Sequence, residues 1–69
     1  MENWQKVFSS GMLHRAEIVK AVLEDNGFMP VIVNKRDSLY NNFGNYEVLV
    51  KQDEVLKAMK IITDDILFE

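Results

Sequence analysis

Two β-rich runs, Pro30–Asn34 and Tyr46–Lys51, stand eleven residues apart and constrain this chain more than any other feature. Val31, Val33, Val48 and Val50 recur at the period of two that a strand requires, and β-branched side chains pack well on a pleated surface. Both runs therefore read as strands. Ile32 and Leu49 alternate with these valines, so each strand carries apolar groups on both faces. The intervening Lys35–Asn45 exceeds the two to five residues of an ordinary hairpin connection, and loops of this length are functional or mobile segments.

In chain order, Trp4–Ser9 alternates as a short first strand, with Trp4 and Phe8 on one side and Val7 on the other. Ser9, Ser10 and Gly11 offer hydroxyls that can cap the free amides of a helix start. Over Met12–Asn26, Ala16, Val19 and Leu23 recur at three and four residues with Met12 and Val22 beside them, and Glu17 can pair with Lys20 on the outer side. Gly27 is a helix stop, and Phe28 and Pro30 return the chain to an extended path. After the third strand, Gln52-Asp53-Glu54 places acidic groups at the positive end of a second helix, with Asp53 four residues before Lys57. Val55, Ala58, Met59 and Ile62 make its buried stripe. Ile66-Leu67-Phe68 either continues that helix or forms a short edge strand.

The order β-α-β-β-α, with an optional final β, is that of a ferredoxin-like α+β sandwich. Residues 1–69 form one domain in this reading, with both helices on one face of the sheet. The first and third strands are expected to be parallel neighbours. A helix of about fifteen residues spans roughly 22 Å and a six-residue strand roughly 20 Å, so the layers match in length. Helices on one face leave the other face uncovered. Strand alternation assigns Trp4, Phe8, Ile32 and Leu49 to that reverse side, an apolar patch of the size at which partner surfaces begin. Its expected occupant is a second copy of the chain, in a homodimer or other homo-oligomer, or else the chain's own loop or tail.

The long loop carries the inventory for a small anion or a protein partner. Lys35 and Arg36 form a basic pair with charge-assisted bonds from Arg36, Ser38 and Asn42 give direction, and Tyr40 offers a ring for stacking. The bland reading is a solvated turn, since Asn41, Asn42, Gly44 and Asn45 are turn formers.

Composition narrows the classes. Sixty-nine residues with 48% hydrophobic and 28% charged side chains describe a folded chain with one small core. A net charge of -3 argues against nucleic acid, whose phosphate backbone needs concentrated Lys and Arg. With no cysteine there is neither a disulfide framework nor thiolate chemistry. No apolar run reaches the roughly 18 residues of a membrane span, and the start lacks the basic pattern of a signal peptide. A cytoplasmic location is the expectation.

Catalysis finds little support. His14, the only histidine, falls in the first turn of a helix beside Arg15, where it reads as a surface residue. Glu24-Asp25 and Asp64-Asp65 have no metal-ligand spacing, and no glycine-rich phosphate cradle occurs, so neither metal nor cofactor is expected. An acylphosphatase-like enzyme would carry an arginine in the loop after the first strand; this chain has none there.

Lys6-Val7-Phe8, Ala16-Glu17-Ile18-Val19-Lys20, Asn26-Gly27, Val33-Asn34-Lys35 with Asp37-Ser38 and Tyr40, Phe43-Gly44, and Glu47-Val48-Leu49-Val50 together resemble a family of small bacterial domains labelled "putative signal-transducing protein". The Asn-Lys-x-Asp-Ser-x-Tyr loop is the most specific part. The resemblance implies a ferredoxin-like or PII-like sandwich and directs attention to Asn34, Lys35, Asp37, Ser38 and Tyr40. The long nucleotide-binding loop of true PII proteins is missing, so ATP and 2-oxoglutarate binding do not carry over. The preferred function is a non-enzymatic regulatory or adaptor module that self-associates through its sheet and presents residues 35–45 to a protein or small anion. The alternative is a small hydrolase acting on a phosphate or acyl group.

Overall fold

A computed structural model describes residues 3–35 and 45–66. Its elements run β1 (Trp4–Ser10), α1 (Leu13–Asp25), β2 (Val31–Asn34), β3 (Tyr46–Lys51), a turn of 3-10 helix (Gln52–Glu54) and α2 (Val55–Asp65). The fold is α+β and fits a small ferredoxin-like sandwich, with three strands among the described residues. Leu67 and Phe68, the proposed remainder of a fourth strand, lie outside the described residues. Ile66 leaves α2 in an extended conformation, φ -122 and ψ 118.

The sheet order is β1-β3-β2, and β3 is antiparallel to both neighbours. This corrects the expected parallel pairing of the first and third strands. The α1 crossover returns the chain so that β2 runs in the same direction as β1, and β3 then doubles back and inserts between them. A strand that reverses after β2 must oppose β1 as well.

Local chemistry explains the boundaries of α1. The Ser10 hydroxyl accepts a hydrogen bond from the Met12 N–H at 3.0 Å, steadying the turn before the helix, but the N-cap is Met12 and no serine side chain caps the helix amides as expected. At the other end, Phe28 N–H donates to the Leu23 carbonyl and Gly27 N–H to that of Glu24, both at 3.0 Å. That pair of bonds is a Schellman closure, which requires a left-handed residue. Gly27 supplies it at φ +88. On the outer side Lys20 pairs with Glu24 at 3.8 Å and not with Glu17, because one full turn brings those ends together.

Ala16, Val19 and Leu23 of α1, Ala58 of α2, and Val7, Val48 and Val50 of the sheet are buried in one cluster with Phe28. Val48 and Val50 alternate on β3, so both helices lie over the same sheet face. The Cα trace is only 15 Å through its thinnest direction, consistent with one sheet layer and one helix layer. Val55, Ile61, Ile62 and Ile66 pack against the cluster from α2 and its end. Met59 is 47% exposed, so the stripe expected to contain it runs through Ile61 instead.

Candidate functional site

Register decides which side chains look away from the helices. On β2 and β3 the partners are Val31 with Leu49, Ile32 with Val48, and Val33 with Glu47. Directly opposed residues share a face. Ile32 therefore sits on the helix side with buried Val48, and Val31 and Val33 turn to the reverse face with Leu49. On β1, Trp4 opposes Lys51 and Lys6 opposes Leu49, but the pairing slips between Lys6 and Phe8 so that Phe8 opposes Val48. One extra residue in β1 is a β-bulge, and it inverts the side on which every later residue appears.

The four residues expected on the reverse face thus divide. Trp4 and Leu49 are there, both half-buried. Phe8 and Ile32 pack against the core instead. Their places outside are taken by Val31 and Val33, the reverse of what strand alternation alone implies. The resulting surface holds Trp4, Val31, Val33 and Leu49, with Lys6, Glu47 and Lys51 around them. Lys6 Nζ lies 3.8 Å from Glu47 Oε2, a diagonal pair between β1 and β3.

The second candidate is the loop between β2 and β3. Asn34 is the exposed last residue of β2 and opposes Tyr46. Lys35 and Asn45 then exchange backbone hydrogen bonds, Lys35 N–H to the Asn45 carbonyl at 2.7 Å and the reverse at 3.2 Å. This step extends the ladder beyond the strands and gives residues 36–44 a narrow paired base. Arg36, Asp37, Ser38 and Tyr40 lie outside the described residues. Ser10 opposes Tyr46 on the far side of β3, so the end of β1 and the loop base share one end of the sheet.

His14 is exposed on α1. Among the described residues no group of three or more His, Cys, Asp or Glu side chains is placed to hold a metal ion, and no helix is long and apolar enough to cross a membrane.

No curated protein and no solved structure is matched by this chain. A family model described as "putative prokaryotic signal transducing protein" matches residues 4–65. That span begins at the first residue of β1 and ends at the last residue of α2, taking in the sheet, both helices and the β2–β3 loop. With every one of these elements inside the match, the chain belongs to the family of "putative prokaryotic signal transducing protein" domains.

Proposed function

We propose that this domain is a non-enzymatic regulatory adaptor that forms a homodimer through the reverse face of its sheet and offers the 35–45 loop to a protein partner or small anion. The family's description as a signal transducer supports a role in relaying information. The observation that carries the reading is the two-layer build: both helices cover the Val48 and Val50 side, while Trp4, Val31, Val33 and Leu49 occupy the other. Burying that apolar surface is favourable at about 25 cal/mol per Å².

The charges around the patch suit a two-fold contact, in which the same surface meets itself. Lys6 and Lys51 provide positive charge and Glu47 negative, so a cation of one copy can face the anion of the other. Three strands at about 4.8 Å spacing and some 20 Å of length present roughly 300 Å² of sheet. Stable dimers bury about 800 Å² per partner. Association is therefore weak and concentration-dependent, a useful property for a module that responds to its own abundance or to a partner.

Sedimentation across low to high micromolar protein tests this. The native chain should shift from monomer to dimer, and Leu49→Glu, which places like charges against each other across the contact, should remain monomeric. A native chain that stays monomeric well above micromolar concentration refutes the reading.

A further inference from the structure

At the end of β3 away from the loop, a cleft of about 500 Å³ is lined by Asn3, Trp4, Lys51, Gln52 and Asp53. Its volume falls within the roughly 300–1,000 Å³ of small-molecule sites. Trp4 and Lys51 are register partners, so their side chains leave the same sheet face next to one another. The 3-10 turn begins at Gln52, immediately after β3, and brings Gln52 and Asp53 to the same hollow. The Gln52 N–H donates to the Asn3 carbonyl at 2.7 Å, tying the walls together.

The lining is chemically varied: an indole, a cation, an anion and two carboxamides. No ion pair joins Lys51 to Asp53, and neither charge is paired with another described residue. The carboxamides of Asn3 and Gln52 likewise make no side-chain hydrogen bond among the described residues. A phosphate ester would gain from Lys51 and be opposed by Asp53, and an overall charge of -3 adds no long-range attraction for it. A simple cation meets the reverse problem. Only a ligand bearing both signs engages both groups.

The geometry points to a zwitterionic amino acid with an aromatic side chain as the ligand of this cleft. Its carboxylate meets Lys51, its ammonium meets Asp53, and its ring lies against the Trp4 indole. Asn3 and Gln52 complete the polar contacts. The cleft is about 17 Å along β3 from the loop base, so it does not depend on the loop as a site. Trp4 also belongs to the reverse sheet face. Occupancy of the cleft and self-association thus share a residue, and any effect of one on the other must be reciprocal.

L-phenylalanine is the probe and Trp4, the only tryptophan, is the reporter. Excitation at the red edge of the indole band, where phenylalanine does not absorb, should give a saturable emission change at millimolar ligand or below. 3-Phenylpropionate, lacking the ammonium, and phenethylamine, lacking the carboxylate, should each bind about tenfold more weakly, as expected for loss of a charge-assisted hydrogen bond. Lys51→Ala should weaken phenylalanine similarly while leaving phenethylamine unchanged, and Asp53→Asn should do so while leaving phenylpropionate unchanged. If a variant fails to fold by circular dichroism, the three ligands compared on the native chain decide the matter. No saturable change, or equal affinity for all three, overturns the assignment. An affinity unchanged by tenfold protein dilution supports it; a signal that vanishes on dilution belongs to assembly and overturns it.

Discussion

Val48 and Leu49 are adjacent in β3, yet truncating them should cost very different amounts of stability. Val48 is fully buried against both helices, whereas Leu49 is half-buried on the reverse face beside Lys6 and Val31. Val48→Ala removes two methyl groups from the core, about 0.8 kcal/mol each in transfer free energy, and the cavity raises the cost to about 2–3 kcal/mol. A 69-residue chain has roughly 3.5–10 kcal/mol of total stability at the usual value per residue. The variant therefore loses a large fraction of it, and its Tm falls by about 10–20 °C. Leu49→Ala should cost less, about 1 kcal/mol in the isolated chain, because that side chain is only partly buried and lies outside the core cluster. Urea unfolding followed by circular dichroism at low micromolar protein measures both. If Leu49→Ala costs as much as Val48→Ala there, the assignment of the two sheet faces is wrong. Repeating the series at high protein concentration adds a second reading, since a Leu49 penalty that grows with concentration reports the dimer.

Two further outcomes follow from the backbone. Gly27→Ala should destabilise by about 1–2 kcal/mol in the same unfolding assay, because φ +88 disfavours a Cβ even though nothing lies within 4 Å of it; Gly27→Asn should lose less. Replacing residues 36–44 with a short Asn-Gly turn between Lys35 and Asn45 should leave the melting temperature within a few degrees, since the paired base already closes the ladder. The same replacement should abolish capture of a partner that uses the loop, and retention of that binding in a pull-down would remove the loop from the proposal.

Much of the fold was legible because local patterns agreed with each other. The Ala16, Val19 and Leu23 spacing marked the buried stripe of α1, and all three residues are fully buried. Gly27 marked its end for the reason the Schellman bonds show. The valines at 48 and 50 marked a strand and its inner face. In α2 the reading was coarser, since Met59 and Ile61 flank the stripe on opposite sides and only packing against the sheet selects Ile61.

The reverse face was less legible. A strand with apolar residues on both sides has no hydrophobic signal to set its parity, and an eleven-residue connection does not impose register as a two-residue turn would. Alternation alone therefore puts Ile32 outside and Val31 and Val33 inside, and the pairing of Ile32 with Val48 reverses all three. The bulge near Val7 left no residue signature, since neither glycine nor proline marks it. The Trp4 cleft was equally hidden, because it depends on β1 beginning where β3 ends and on the turn that follows Lys51.

By itself, the amino-acid order determined the sequence of elements, the end of α1 and its buried stripe, since capping, backbone preference and apolar spacing act over a few neighbouring residues. Only the tertiary structure decided that β3 lies between β1 and β2, that Phe8 turns inward while Trp4 turns outward, and that Lys51 and Asp53 flank one hollow. Those outcomes come from strand pairings between residues 12 to 47 positions apart, where a single bulged residue reverses a face and no local preference can register it.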